Sequence, residues 1–96
     1  MRVIVSYDVQ TTTAEGRRRL RKVAKACKNY GVRVQYSVFE CSVGPRELVQ
    51  LRGEVTKVID PAVDSLRIWY ISEDDAHKTE HIGVREPLDL DGPLVV

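Results

Sequence analysis

Cysteine is scarce in this sequence, and long hydrophobic runs are absent from it. The two cysteines, Cys27 and Cys41, are far apart and lack paired metal-ligand spacing, which argues against a disulfide or a zinc knuckle. No stretch approaches the roughly 20 apolar residues that a membrane span requires, and the N-terminus is too short for a signal peptide. We therefore expect a cytoplasmic protein without membrane contact, in which both cysteines pack as small apolar residues.

The chain is short, and its charge is unevenly distributed. Its 96 residues, 43% of them hydrophobic and 30% charged, suit one globular domain and leave little room for a separate catalytic module. The net charge of +1 conceals an asymmetry, because residues 1–59 hold 12 Lys and Arg against 5 Asp and Glu, and residues 60–96 hold 3 against 9. The basic part suggests an anionic partner, whereas the acidic part could be a solvated edge or could guide assembly.

Periodicity in the first third of the chain predicts a strand followed by a basic amphipathic helix. Residues 2–7 are a β-branched run that predicts a strand ending at Asp8. Thr12 and Glu15 form a capping-box pattern at the start of the helix, and Gly31 supplies its stop. The apolar stripe of the helix consists of Leu20, Val23, Ala24, Cys27 and Tyr30. The other face carries seven cations without an intervening acid, namely Arg17, Arg18, Arg19, Arg21, Lys22, Lys25 and Lys28.

The rest of the chain predicts more strands and a second helix. Residues 32–43 are again rich in β-branched and aromatic side chains, and Gly44 and Pro45 end that stretch. A second helical stripe follows, made of Leu48, Leu51, Val55, Val58 and Ile59. Residues 66–71 predict another strand, and residues 84–96 favour a terminal one.

This order of elements predicts an α+β fold, a ferredoxin-like βαββαβ sandwich with an extra C-terminal strand, assembled as a homodimer. Residues 1–83 would form the domain, and residues 84–96 would be a strand and tail that exchange between subunits or dock a partner. Two strands must fit between the helices, so we expect a tight hairpin or a kinked strand near residues 35–37. The uncovered sheet face would carry an apolar patch better suited to a symmetric partner than to water. It would present Ile4, with Trp69 and Ile71 or with Leu66 and Ile68.

Three stretches resemble the CRISPR-associated protein 2 family. They are VSYDV at residues 5–9, RRL at residues 18–20 and YGVRVQYSVFE at residues 30–40. The resemblance runs from the first residue to about residue 71, and its most specific part is RVQYSVFE following a Tyr-Gly pair.

The resemblance implies a ferredoxin-like homodimer whose C-terminal strand joins the partner's sheet and whose two Asp8 side chains face each other across the two-fold axis. Members of the family are associated with divalent-metal-dependent cleavage of single-stranded RNA or duplex DNA, and others are chiefly structural. In the shared role, the dimer bridges two copies of the CRISPR integrase and supports the DNA destined to become a spacer.

Asp8 is the candidate catalytic and metal-binding residue. Read alone, it would more often be a turn-forming or capping aspartate, but the resemblance favours a metal-facing role. Two carboxylates brought close by symmetry repel each other unless a cation lies between them, and Mg²⁺ suits such a site because it binds through one or two carboxylates plus phosphate oxygens. We therefore expect one Mg²⁺ shared at the dimer interface, with Asp8 as ligand rather than nucleophile.

The nucleic-acid contacts are expected on the basic helix and on the strand after it. Cations on such a helix are often only a wet surface, but seven without an acid favour contacts to RNA or DNA phosphates. The candidates are Arg17, Arg18, Arg21 and Lys28, with Arg33 added through the family motif and Ser37 as a substrate contact. For Phe39 and Tyr7 we favour packing over base stacking or catalysis.

Three functions remain open from the sequence. The first is a nuclease that uses Asp8 and Mg²⁺, and the second is a non-catalytic adaptor that holds duplex DNA and the integrase. A tail with alternating acids at Asp89 and Asp91 looks more like a docking strand than a catalytic element, which favours some adaptor role in either case. The third is a toxin-type endoribonuclease of related fold.

Overall fold

A computed structural model of the chain describes residues 1–72 and 79–83. Its elements are β1 (Arg2–Asp8), α1 (Ala14–Lys28), β2 (Gly31–Gln35), β3 (Val38–Ser42), α2 (Pro45–Val58) and β4 (Ser65–Ile71). Within the described residues, neither helix is long and apolar enough to cross a membrane. The extra strand predicted in residues 84–96 lies outside the described part of the chain.

The four strands form one sheet in the order β2-β3-β1-β4, and every neighbouring pair is antiparallel. This is the strand order of the predicted ferredoxin-like sandwich, which is confirmed. Only Tyr36 and Ser37 connect β2 to β3, and the pairing register shifts between Arg33 and Gln35. The tight, irregular hairpin expected near residues 35–37 is therefore present, and it allows two strands to fit in twelve residues.

Both helices pack on one face of the sheet and bury its apolar side chains. The fully covered residues are Val3, Val5, Val23, Cys27, Phe39, Cys41 and Leu51. The packing role predicted for Phe39 is confirmed, and both cysteines are free thiols inside this core. Burial raises the pKa of Cys27 to about 12 and that of Cys41 to about 11, so both thiols are neutral and poorly nucleophilic near pH 7.

The two ends of α1 differ from the sequence prediction. Thr13, not Thr12, is the N-cap, and its hydroxyl accepts a hydrogen bond of 3.0 Å from the Gly16 N–H. Gly31 does not stop the helix, which is capped at Asn29 in ordinary helical conformation. Gly31 instead begins β2, where a Cβ atom would lie 2.8 Å from the Cα of Cys41. Gly31 therefore allows two strands to pack closely. A glycine after an apolar helical stripe looks the same in the sequence whether it ends the helix or begins a closely packed strand.

The start of α2 follows the sequence prediction. Gly44 is the N-cap and Pro45 the first helical residue, where the missing N–H of proline costs nothing because that group has no partner inside the helix. The Glu47 carboxylate accepts a hydrogen bond of 3.0 Å from the Gly44 N–H. The apolar stripe of this helix buries Leu48, Leu51 and Val55 against the sheet.

Neither α1 nor α2 lies on the opposite face of the sheet. The register between β1 and β4 pairs Ile4 with Trp69, so Trp69 and Ile71 share the open face with Ile4, whereas Leu66 and Ile68 pack against the core. Trp69 is 46% exposed. Of the two patches considered from the sequence, the one that contains Trp69 is the one that forms.

Candidate metal and nucleic-acid site

Asp8 is exposed at the end of β1, where it pairs with Ser65 of β4. Beside it lies an open depression of about 210 Å³ that Arg67 and Trp69 also line. The guanidinium carbon of Arg67 is 5.5 Å from the Trp69 ring centroid. A carboxylate, a cation and an aromatic face therefore meet at this end of the open sheet face.

The carboxylate of Asp8 has the chemistry for a hard cation but cannot complete a site alone. Within residues 1–72 and 79–83 no side chain forms an ion pair with it, so both of its oxygens are open to a ligand. No group of three or more His, Cys, Asp or Glu among those residues is arranged to hold a metal. Mg²⁺ tolerates so sparse a donor set because it keeps several waters and accepts substrate phosphate oxygens. The residues present therefore fit Mg²⁺ only if a second carboxylate or a phosphate contributes.

The basic face of α1 forms as predicted, with one correction. Six of its seven cations are exposed, but Arg19 is half-buried and its Nε lies 2.8 Å from Oδ2 of Asp64. Asp64 precedes β4 and is 45 positions away in the chain. The helix itself has no acid among these cations, but spacing along a helix gives no information on acids from other elements.

The four cations proposed as phosphate contacts are all exposed on α1. Arg17 donates a hydrogen bond of 3.1 Å to the Thr11 carbonyl, so it is directed toward the loop that follows β1. In the described part of the chain, no acid forms an ion pair with Arg18, Arg21 or Lys28. These three remain available to an anion.

Arg33 is half-buried and held against aromatic rings. Its guanidinium carbon is 5.2 Å from the ring centroid of Phe39 and 5.8 Å from that of Tyr36. A second depression, of about 180 Å³, lies between α1 and the β2–β3 hairpin, and Arg21 and Arg33 both line it. The structure thus brings together one candidate from the helix and one from the family motif.

Tyr7 separates the two depressions and is a core residue. Its ring stacks near Phe39 with the centroids 6.3 Å apart, and the side chain is 4% exposed. Burial raises the pKa of the phenol, although the neighbouring Arg33 lowers it, so the hydroxyl stays protonated at neutral pH. Because alternate residues of a strand face opposite sides, Asp8 lies on the open face and Tyr7 on the helix side. Arg33 pairs with the buried Phe39 across the hairpin and therefore lies on the helix side too.

Ser37 contributes its backbone to this region. Its carbonyl accepts a hydrogen bond of 3.1 Å from the Tyr7 N–H, which joins the hairpin to the strand that ends in Asp8. A contact between its side chain and a substrate stays a prediction.

Sequence analysis missed Asp64, Arg67 and Trp69 as members of this region. From the sequence, Arg67 is only part of a predicted strand and Trp69 only a candidate for the apolar patch. Alternation along that strand was the available signal that both share a face. Asp64 had no sequence signal, because a lone acid before a strand is common in loops.

The comparisons with known proteins agree with this fold. The sequence model of a family described as "CRISPR associated protein Cas2" matches residues 1–79. The chain is 50% identical, over the full length of both proteins, to a CRISPR-associated endoribonuclease Cas2 of Chlorobaculum tepidum. It is 52% identical to a CRISPR-associated endonuclease Cas2 of Halalkalibacterium halodurans, over 99% of each chain. The crystal structure of Streptococcus pyogenes Cas2 at pH 6.5 superposes with a TM-score of 0.78 at 48% identity, covering 86% of this chain and 100% of that one.

Proposed function

This chain belongs to the CRISPR associated protein Cas2 family, and from that premise we propose that it is a homodimeric, Mg²⁺-dependent endonuclease or endoribonuclease that acts with the CRISPR integrase in spacer acquisition. The observation that carries the proposal is the exposed carboxylate of Asp8 at the end of β1, which no described side chain engages in an ion pair and which lies beside a depression and near a basic helix. The names of the two curated relatives, an endoribonuclease and an endonuclease, support cleavage of a phosphodiester. They leave RNA and DNA as alternative substrates.

The open sheet face and the incomplete metal site both support dimerisation. Ile4, Trp69 and Ile71 form an apolar patch, and an ion pair of 2.8 Å between Arg2 and Glu40 borders it. A second copy seated on this face would cover the patch and bring a second Asp8 toward the first. The two carboxylates together supply what Mg²⁺ needs from the protein.

Each residue then has a defined role. Asp8 holds the metal, and Arg18, Arg21, Lys28 and Arg33 hold phosphates without reading bases. Bound there, Mg²⁺ would lower the pKa of a coordinated water and offset negative charge on the phosphate.

A non-catalytic adaptor is the second candidate function. One observation favours it, since the depression beside Asp8 contains no second titratable acid or base among the described residues apart from the buried Tyr7 phenol and the Arg67 cation. Hydrolysis without a general base is slow. An adaptor would use the same dimer to hold duplex DNA and the integrase. Because the chain belongs to this family, a toxin-type endoribonuclease is the least favoured of the three functions. The integrase partnership and a cytoplasmic location stay predictions.

Asp8→Asn tests catalysis. We expect the purified wild-type protein to cleave RNA or DNA in Mg²⁺ and to stop when the metal is chelated. The amide has about the same size but no negative charge, so the variant should lose cleavage by at least about a hundredfold and retain the wild-type circular dichroism spectrum. Asp60→Asn, which removes an exposed acid from the loop before β4, is the matched control and should cleave normally. Equal cleavage by the Asp8 variant would show that the activity does not come from this site.

Removal of the residues after Gly83 tests the adaptor function. The truncated chain keeps Asp8, α1 and the sheet, so it should still bind nucleic acid, whereas its binding to the integrase should weaken. The measurement is co-purification or calorimetry with the integrase, with nucleic-acid binding by the same preparation as the control. Unchanged integrase binding would locate the partner surface elsewhere.

A further inference from the structure

Asp64 is the only charged residue buried among those that the structure describes. Its side chain is completely covered, while its partner Arg19 keeps 19% of its side-chain surface. Buried carboxylates are retained only where hydrogen bonds and a counter-charge compensate for lost hydration. The bonds of this carboxylate therefore indicate which parts of the fold it holds together.

The carboxylate of Asp64 joins three segments. Its Oδ1 accepts hydrogen bonds from the Gln10 N–H at 3.0 Å and from Nη2 of Arg19 at 3.4 Å. Its Oδ2 accepts from Nε of Arg19 and from the Asp60 N–H, both at 2.8 Å. One side chain thus ties the loop after β1 to α1 and to the turn before β4.

The loop after β1 is fixed by two more contacts. Gly16 packs so closely on this loop that a Cβ atom there would collide with the Gln10 carbonyl. Arg17 donates to the Thr11 carbonyl at 3.1 Å. The first turn of α1 is therefore seated directly on the segment that follows Asp8.

These contacts restrain the backbone on two sides of Asp8. Gln10, which Asp64 holds, is two residues after Asp8 along the chain. Ser65, which follows Asp64, is the residue paired with Asp8 across the sheet. The same carboxylate therefore restrains both the chain that leaves Asp8 and the strand beside it.

We propose that Asp64, with Arg19, is a positioning residue for Asp8, holding the end of β1 so that the Asp8 carboxylate is preorganised for a divalent cation. The inference rests on the proposed metal role of Asp8. Supporting residues outside the ligand shell fix ligand orientation, and their loss commonly weakens metal affinity about 10- to 100-fold. Without the Asp64 charge, the end of β1 has more conformations to lose when metal binds, so affinity falls while the basic face of α1 is unaffected.

The test is an Mg²⁺ titration of the full chain carrying Asp64→Asn. Two signals monitor the titration, the amide resonance of Asp8 and the rate of cleavage. We expect the midpoint of both to rise about tenfold or more, with cleavage largely recovered at saturating metal. Amide hydrogen exchange at Gln10 should accelerate. Nucleic-acid affinity measured in chelator should be unchanged, which a general loss of structure would not permit. Asp60→Asn is the matched control, because among the described residues its exposed carboxylate accepts a hydrogen bond from the Ala62 N–H alone, within its own turn.

Arg19→Lys provides a milder variant should Asp64→Asn fold poorly. It keeps the positive charge but loses the two-pronged contact, so its midpoint should shift in the same direction by less. A midpoint equal to wild type in a folded Asp64→Asn protein would overturn the positioning role and leave the metal role of Asp8 intact. Absence of any response of Asp8 to Mg²⁺ in the wild type would overturn both.

Discussion

At the scale of single residues, the charge state of Asp64 is decided by a competition. Burial alone raises the pKa of this carboxyl group, but the hydrogen bond from Arg19, those from the Asp60 and Gln10 backbone and the Arg19 charge together lower it below its ordinary value. Asp64 is therefore ionised at neutral pH despite being covered. By contrast, burial is the largest influence on Cys27 and Cys41, and it raises the pKa of both thiols so that they stay neutral.

The lowered pKa of Asp64 predicts a loss of stability in acid. A carboxyl group whose folded-state pKa is depressed stabilises the fold above its unfolded pKa, near 3.9, and loses this contribution as the pH falls through the folded value. We expect the wild-type free energy of unfolding to fall more steeply than that of Asp64→Asn below about pH 5, so that the two approach each other in acid. Urea denaturation between pH 7 and pH 3 measures this. Parallel curves for the two proteins would contradict the assignment.

At the scale of elements, α1 has three functions on three sides. Val23 and Cys27 pack it on the sheet, Arg19 fixes it to the turn before β4, and Arg18, Arg21 and Lys28 face solvent. The β2–β3 hairpin is similarly divided, because Phe39 packs inward and supports the Arg33 guanidinium. Site residues in this protein are thus held by the elements that also form its core.

The space around two glycines predicts opposite effects on stability when each is replaced by alanine. Gly31→Ala should destabilise the protein by about 1–3 kcal/mol, because its methyl group would meet the Glu40 and Cys41 backbone, which cannot move aside cheaply. Gly53→Ala places a methyl group in open space within α2 and should stabilise by about 0.5–1 kcal/mol through helix propensity. Denaturant unfolding of both variants measures the difference. Equal stabilities would show that the strands separate easily at Gly31.

At the scale of the whole molecule, the proposed function depends on assembly. Among its described residues, one chain offers a single exposed acid at the site, and one sheet face that neither α1 nor α2 covers. A 96-residue chain also hides a modest share of its surface. Self-association through the open face would therefore serve both the metal site and the stability of the fold.

Charge on the open face predicts a change in oligomeric state. Trp69→Glu would place two carboxylates in an apolar interface, so we expect sedimentation velocity to show a dimer for the wild type and a shift toward monomer for the variant. Val49→Glu, at a position on α2 that is 65% exposed, is the matched control and should remain dimeric. A wild-type protein that stays monomeric at all concentrations would remove the basis for a shared metal.

The sequence by itself determined the kinds of elements, their order, the apolar stripes and the family. Strands and helices repeat every 2 and 3.6 residues, so the faces carrying Val3 and Val5 or Leu48 and Leu51 follow from spacing alone. Only the tertiary structure decided the partner of Arg19, the function of Gly31 and the restraint that Asp64 places on the segments beside Asp8. Each of these depends on a contact between distant segments, and local spacing carries no information on which distant groups the folded chain brings within 3 Å.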